Sequence, residues 1–202
     1  QPSLNLESKP YINYSLNGTY DNLNSSYYAT KGMYINFNYT VTTNNFFRLD
    51  DQKPMQDLSF TLIKPVKLNK KMTLTPNVTG RIIVSDTVPV IYSNLVGGQW
   101  SNHYVNQQIS LEGLQGMEFF NKTVLKTQVN FKYDFNKNNS FQFVLNYTMH
   151  NDNPLELLKG RSYLGGTLGY TYSTLAGPII FRLNYSDRTR KFYPFLSVGY
   201  YF

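Results

Sequence analysis

The sequence contains no cysteine, and this absence excludes several kinds of chemistry. Without thiols the chain can form no disulfide framework, thiolate metal site or cysteine nucleophile. Only two histidines occur, His103 and His150, and neither sits in a metal-ligand or nucleophile motif. We therefore expect no catalytic residue, no cofactor and no metal site in this chain.

Charge and long apolar runs are also scarce. Charged residues make up 15% of the chain, against about a quarter in ordinary globular proteins. No run approaches the ~18 consecutive apolar residues of a helical membrane span. Aromatic residues are abundant instead, at 16%, although the mean hydropathy of −0.39 would normally indicate a soluble protein. A transmembrane β-barrel reconciles these values, because only alternate residues face lipid and tyrosine is favoured at both membrane interfaces.

The net charge of +7 raises the question of nucleic-acid binding. Lysine and arginine are scattered, however, and one dense group surrounds a predicted turn. Its members are Lys64, Lys67, Lys70 and Lys71. We interpret these cations as solvated turn charges and lipid-headgroup contacts, and we predict no nucleic-acid partner.

Nine segments alternate between apolar and polar residues with the period of a β-strand. Their approximate bounds are 12–21, 34–41, 58–63, 72–85, 125–135, 141–149, 167–173, 179–186 and 192–202. The fourth contains Pro76, which lacks an amide donor, so we expect a bulge or a weakened ladder there. The pattern predicts an all-β, antiparallel architecture.

A soluble β-sandwich also alternates, but its apolar face would hold few tyrosines. Here tyrosines recur near the ends of the apolar faces, for example at Tyr14, Tyr133 and Tyr200, as in an interfacial girdle. We predict that one set of side chains faces lipid, namely Phe131, Phe143, Phe181 and Leu196. The opposite set should face a watery lumen, namely Lys126, Lys132, Asn146 and Arg182. On this basis Asn146→Arg should be mild.

Connection lengths predict the orientation, since outer-membrane barrels have short periplasmic turns and longer outer loops. The short connections are 69–71, 136–139 and 174–178, and the long ones are 44–54, 86–122 and 150–163. These classes alternate along the chain. If 22–32 is periplasmic and 186–191 is outer, every strand reverses direction and Phe202 ends on the periplasmic side.

Several stretches resemble a known family. The stretch Tyr163 to Pro178 (YLGGTLGYTYSTLAGP), with Asn184 to Lys191 and Phe195 to Phe202, resembles the C-terminal β-barrel region of Bacteroidota patatin-like phospholipases. That region belongs to the superfamily of outer-membrane barrel-assembly factors. Asp21 to Gly32 is similar to the periplasmic turn before an ascending strand in these proteins. Tyr92 to Gln108 is similar to the start of the long outer loop that folds back into the lumen.

The resemblance implies a location and a strand numbering. Family barrels have sixteen strands, so the nine strands would be the eighth to the sixteenth within a partial barrel spanning 1–202. The loop 86–122 would fold into the lumen, and the segment Gln107 to Phe120 within it could form a short hairpin strand. The implied lumen-loop residues are Gly97, Gly98, Val105, Asn106, Gln107 and Gln108. The implied localisation is the outer membrane of a Gram-negative bacterium.

The resemblance also implies partners. The terminal residues Val198, Tyr200 and Phe202 resemble the signal read by the barrel-assembly machinery, although they could simply be lipid-facing. Outer-membrane lipid is the second implied partner. A further chain or an upstream segment would complete the barrel, because bacterial single-chain barrels have an even number of strands.

The chain departs from the family at two places. Barrel-assembly factors carry an arginine in a lock motif of the inward loop, whereas Val105 to Gln108 has none. No Gly-x-Ser-x-Gly nucleophile elbow occurs, so a patatin-like hydrolase domain would lie upstream of residue 1. We expect this chain to be the anchor, or the translocation and display pore, of such an enzyme and not an enzyme itself. The alternative is a self-contained small barrel that acts as a porin, an adhesin or a structural partner subunit.

Overall fold

The computed structural model describes residues 10–25, 28–50, 52–98 and 107–199. The described residues are all-β apart from two short 3-10 helices, η1 (Val90–Tyr92) and η2 (Pro154–Lys159). The strands are β1 (Ile12–Asp21), β2 (Tyr34–Thr43), β3 (Met55–Ile63), β4 (Val66–Lys67), β5 (Met72–Val84), β6 (Asn94–Val96), β7 (Gln108–Ile109), β8 (Glu118–Phe120), β9 (Thr123–Asp134), β10 (Asn139–Asn151), β11 (Arg161–Thr174), β12 (Gly177–Ser186) and β13 (Lys191–Val198). In the described part of the chain no helix is both long and apolar enough to cross a membrane.

Nine long strands form one antiparallel sheet, which confirms the prediction from alternation. Their order is β1-β2-β3-β5-β9-β10-β11-β12-β13, and the short β4 pairs with β5 beyond the end of β3. Most bounds fall within a few residues of those expected. The largest difference is β11, which begins at Arg161 and not near 167, because its first residues pair with the end of β10.

The polarity of the sheet is inverted relative to a soluble protein. Along β10, buried residues alternate with exposed ones, and the buried ones are mostly polar. The exposed ones are apolar: Phe143 is 47% exposed, and Phe181 on β12 and Leu196 on β13 are similarly open. We call the face that carries these residues the outer face, and the opposite face, which carries Lys126, the inner face. Outward apolar side chains are typical of a transmembrane barrel wall.

The predicted alternation of connections follows from the antiparallel order. The connections at one end, the loop end, are 44–54, 85–122, 152–160 and 187–190. The connections at the other end, the turn end, are 22–33, 64–71, 135–138 and 175–176. The segments expected to lie on the same side of the membrane therefore share an end of the sheet.

Pro76 weakens the ladder without producing a bulge. β5 continues through Pro76, and its register with β9 is constant along its length. On the other side, β3 ends at Ile63 and pairing resumes only at Val66 in β4. The Lys64 amide donates to the Pro76 carbonyl at 3.1 Å, but proline has no amide with which to return the bond. Of the two expected alternatives, a bulge or a weakened ladder, the structure shows the weakened ladder.

The sheet curls toward its inner face at the turn end. Tyr28, in the connection between β1 and β2, donates its hydroxyl to Thr171 Oγ1 on β11 at 3.4 Å. The ammonium of Lys132 on β9 lies 4.5 Å from the centre of the Tyr28 ring. Burial raises the pKa of the Tyr28 phenol. A turn next to the first strand therefore contacts the far part of the sheet, which requires a curved wall.

Three short strands form a separate small sheet. β6 lies between β7, to which it is parallel, and β8, to which it is antiparallel. The segment Gln107 to Phe120 therefore contributes two strands to this sheet and does not form one hairpin strand. The alternation within Gln107 to Phe120 does not reveal this arrangement, because both of its strands pair with β6, which lies upstream in the chain.

Candidate functional site

Residues 107–120, which we call the inner segment, pack against the inner face of β9, β11 and β12. On β9, the ammonium of Lys126 donates to the carbonyl of Ser110 at 2.9 Å and to its hydroxyl at 2.7 Å. Lys126 is only 2% exposed. Removing an ammonium from water is costly, so the buried Lys126 needs hydrogen-bond acceptors, and Ser110 of the inner segment supplies two of them.

An acidic residue of the inner segment contacts β11, which lies two strands from β9 in the sheet. Glu112 is buried, and its Oε2 lies 2.8 Å from the hydroxyl of Thr167 on β11. The same hydroxyl lies 2.6 Å from Asn184 Oδ1 on β12, so it can donate to only one of them at a time. The carboxylate therefore connects the inner segment to β11.

Two glycines permit the close approach of the inner segment to the wall. Gly113 has φ +82°, and a Cβ there would collide with the backbone of Tyr185 and Ser186 on β12. On the wall side, a Cβ at Gly165 would collide with the carbonyl oxygen of Glu112. Glycine is required at both positions because the two backbones are in direct contact.

Gly113→Ala should release the inner segment from β12. The left-handed backbone costs a residue with a Cβ about 1–2 kcal/mol, and the colliding atoms are backbone atoms that cannot rotate away. We expect faster hydrogen–deuterium exchange across 107–118, measured by mass spectrometry on the protein in lipid vesicles. Gly116→Ala is the matched control, because a Cβ at Gly116 meets nothing within 4 Å. Equal exchange in the two variants would contradict the assigned contact.

The start of the inner segment is held by the predicted glycine pair. Gly97 and Gly98 adopt φ values of +137° and +80°. The Gly97 amide donates to the Ile109 carbonyl at 2.9 Å, and the Gly98 amide donates to the Leu114 carbonyl at 2.8 Å. Gln108 Nε2 donates to the Gly97 carbonyl at 2.8 Å. The structure therefore brings Gly97, Gly98 and Gln108 together.

Gln107, another predicted lumen-loop residue, contacts the segment upstream of β6. Gln107 donates its Nε2 to the carbonyl of Ile91, within η1, at 2.6 Å. Val105 and Asn106 lie outside the described residues. A small apolar cluster supports the whole arrangement and consists of Val96, Ile109, Leu111, Leu114 and Val124.

A buried ion pair lies where the wall contacts Tyr92 and Asn94, which are upstream of the inner segment. Arg81 Nε lies 3.0 and 2.9 Å from the two carboxylate oxygens of Asp57, which places the pair across β5 and β3. The remaining guanidinium nitrogens donate to Asn94 Oδ1 at 3.1 Å and to the Tyr92 carbonyl at 3.0 Å. No local pattern in the sequence indicates these partners of Arg81.

A second cluster fastens the end of the inner segment. Arg188, in the connection 187–190, donates its Nε to Glu118 Oε2 at 2.8 Å. The guanidinium carbon lies 5.4 Å from the Phe120 ring centre and 4.6 Å from the Tyr163 ring centre. The hydrogen bond to Glu118 raises the pKa of Arg188. Sequence reasoning missed this cluster, because its members are far apart in the chain.

His150 is a wall residue with structural contacts. Its ring centre lies 4.3 Å from that of Phe120, and its Nδ1 lies 2.5 Å from Asn121 Oδ1. Beyond the end of β10, a hydrogen bond from the Asn121 side chain lowers the pKa of Asp152. In the described part of the chain no group of three or more His, Asp or Glu residues could hold a metal ion.

Asn146 is more deeply buried than its position on a lumen-facing strand predicted. It points to the inner face as predicted, but it is 1% exposed and lies against Gly165, which contacts Glu112. The site is therefore covered by the inner segment and is not open water. An arginine there would have no space, so the expectation that Asn146→Arg is mild is wrong.

The other half of the inner face is open. A cavity of about 330 Å³ lies beside β1, β2, β3 and β5. Its lining includes many uncharged polar residues, among them Asn17, Asn36, Asn38, Ser59 and Thr61. The inner segment touches only one edge of it, through Gln107 to Ile109. The inner face therefore has a filled half and an open, polar half.

The terminal strand carries part of the predicted assembly signal. Val198 lies on the outer face of β13 and is exposed. Tyr200 and Phe202 lie outside the described residues. The exposed position of Val198 on the outer face is compatible with an assembly signal and with a residue that simply faces lipid.

Comparison with known proteins identifies the family. A family model described as the OMP85 superfamily matches residues 1–202. The chain belongs to the OMP85 superfamily. Membership of this superfamily and the outward apolar face indicate that the chain forms part of a β-barrel wall in a Gram-negative outer membrane.

A solved structure supports the same fold. The crystal structure of BamA from Haemophilus ducreyi lacking POTRA domains 1–3 matches with a TM-score of 0.65 and 13% sequence identity. The match covers 92% of this chain and 40% of that chain, so the chain spans well under half the length of that protein. No curated protein matches the chain.

Proposed function

We propose that this chain is the outer-membrane anchor of a patatin-like phospholipase of Bacteroidota, whose catalytic domain lies outside residues 1–202. The observation that carries the proposal is the resemblance of Tyr163 to Pro178 and of Asn184 to Lys191 to the barrels of those enzymes. Membership of the OMP85 superfamily supports it. Anchoring requires a stable wall in the membrane and no reactive group in the wall itself.

The docked inner segment favours anchoring over an open pore. We propose that 86–122 is an outer loop folded into the lumen. Support comes from Lys126 and Glu112, which are buried where the segment meets the wall. If export or display also occurs, the polar cavity of about 330 Å³ beside β1 to β5 is the route left open. The missing lock arginine argues against protein insertion as the activity.

We propose further that additional strands complete the barrel. In the described residues β1 has a strand neighbour on one side only, and nine long strands is an odd number. Strands from the same polypeptide or from another chain would pair with β1, so that the present strands are the eighth to the sixteenth. Val198, Tyr200 and Phe202 would be read by the barrel-assembly machinery during insertion.

The test of the anchor function uses the full-length coding sequence. We expect a Gly-x-Ser-x-Gly elbow upstream of Gln1, and phospholipase activity on intact cells that Ser→Ala at that elbow abolishes. The barrel of the inactive variant should still reach the outer membrane. A signal peptide directly before Gln1 would contradict the proposal and favour a self-contained barrel.

The orientation has its own prediction. Cysteines introduced at Asp50 and Asn153, both at the loop end, should react with a membrane-impermeant maleimide on intact cells, since longer loops face outward. A cysteine at Asn138, at the turn end, should react only after the outer membrane is permeabilised. Labelling at Asn138 without labelling at the other two sites would reverse the orientation.

A further inference from the structure

The connection between β10 and β11 exposes two leucines almost completely. Leu155 and Leu158 of η2 are 96% and 87% exposed, whereas Leu157 between them is half-buried. Asn153 begins η2 by accepting a hydrogen bond from the Leu155 amide at 3.1 Å. Asn151, the last residue of β10, donates its side-chain amide to the Glu156 carbonyl at 2.8 Å. The two leucines are thus presented by a segment that is fixed to the end of β10.

The depth of η2 follows from strand length. β10 has 13 residues. At about 3.3 Å per residue and a tilt of about 45°, it rises about 30 Å, whereas the apolar band of such barrels is about 25 Å tall. A strand that starts at the far boundary therefore ends a few ångströms beyond the hydrocarbon. η2 begins there, at the level of the lipid headgroups.

The lipid-facing surface continues up to η2. Tyr147 near the end of β10 and Leu164 near the start of β11 are exposed on the outer face. Lys159 and Arg161, which follow the leucines, are also exposed. An apolar pair next to cations is the composition of an interfacial anchor, in which leucine enters the acyl boundary and the cations meet phosphates.

We propose that Leu155 and Leu158 insert into the lipid leaflet at the loop end, and that Lys159 and Arg161 bind lipid phosphate groups there. Single exposed leucines are common on protein surfaces. Here two of them lie on one short element directly above the membrane wall. The inference rests on the barrel being in a membrane and does not depend on which domain it anchors.

Site-directed spin labelling of the full-length protein tests this inference. Single cysteines replace Leu158 and Glu156 in an otherwise cysteine-free background, and the protein is reconstituted in phosphatidylcholine and phosphatidylglycerol vesicles. Glu156 is the matched control because it lies between the two leucines in sequence and carries an exposed carboxylate, 3.6 Å from the Lys159 ammonium. Labels at Phe143 and Asn138 give the lipid and water references.

We expect the label at Leu158 to collide mainly with oxygen, as at Phe143. Its ratio of oxygen collisions to nickel-chelate collisions should be several-fold above the ratio at Glu156. The label at Glu156 should collide mainly with a water-soluble nickel chelate, as at Asn138. Nickel-dominated collisions at both η2 sites would overturn the inference and leave the loop in water. Shielding of Leu158 from both reagents would overturn it in favour of a contact between copies. If Phe143 itself were accessible to nickel, the membrane assignment would fail instead.

Discussion

Asp57→Ala should lower the free energy of unfolding by about 3–5 kcal/mol, because it leaves the guanidinium of Arg81 buried without its counter-ion. The side chains of Arg81 and Asp57 are 6% and 12% exposed, so the guanidinium has little contact with water in the folded protein. Only the contacts with Asn94 and the Tyr92 carbonyl would remain. Urea titration of the protein folded reversibly into bilayers measures the loss.

Two controls separate the buried charge from general effects. Glu156→Ala removes an exposed ion pair with Lys159 and should change stability by at most about 1 kcal/mol. Replacing both buried partners, Asp57→Leu with Arg81→Met, should recover much of the loss, since no unpaired charge remains. A loss no greater for Asp57→Ala than for Glu156→Ala would show that the pair is not buried as described.

Phe37→Arg should lower the free energy of unfolding in bilayers by about 2–4 kcal/mol, the cost of a cation on the lipid face near the membrane centre. Phe37 lies on the outer face within β2 and is exposed there. Asn38→Arg is the matched control at almost the same depth. Its side chain points to the open cavity of about 330 Å³, where water can solvate an arginine.

The comparison between adjacent residues decides the assignment of faces. A clear difference between Phe37→Arg and Asn38→Arg is expected, measured by the same urea titration. Similar losses in the two variants would mean that both faces of β2 are in the same environment, which a barrel wall does not allow. Asn146 is unsuitable as an inner-face control, because the inner segment covers it.

Strand positions and faces could be predicted because they depend on a local signal. Alternation with a period of two is written into each strand, so Phe143 and Lys126 were placed on the correct faces without knowledge of their neighbours. Antiparallel order then fixed which connections share an end. The resemblance of the terminal strands indicated the superfamily of outer-membrane barrel-assembly factors, and the matched family model confirms membership of that superfamily.

The contacts of the inner segment could not be predicted in the same way. Glu112 meets Thr167, and Glu118 meets Arg188, across large separations in sequence and without any repeating pattern. The segment was expected to alternate as one strand, but it forms β7 and β8 beside β6. Its conformation depends on what the wall presents to it.

By itself, the sequence determined the number of long strands, their two faces and the grouping of their connections, because strand periodicity and turn length act over a few residues. Only the tertiary structure decided that Lys126, Glu112 and Asn146 are buried and which half of the inner face stays open. The physical reason is curvature: once the wall bends, distant segments meet across its concave side. Burial there depends on the covering segment and not on the residue's own strand.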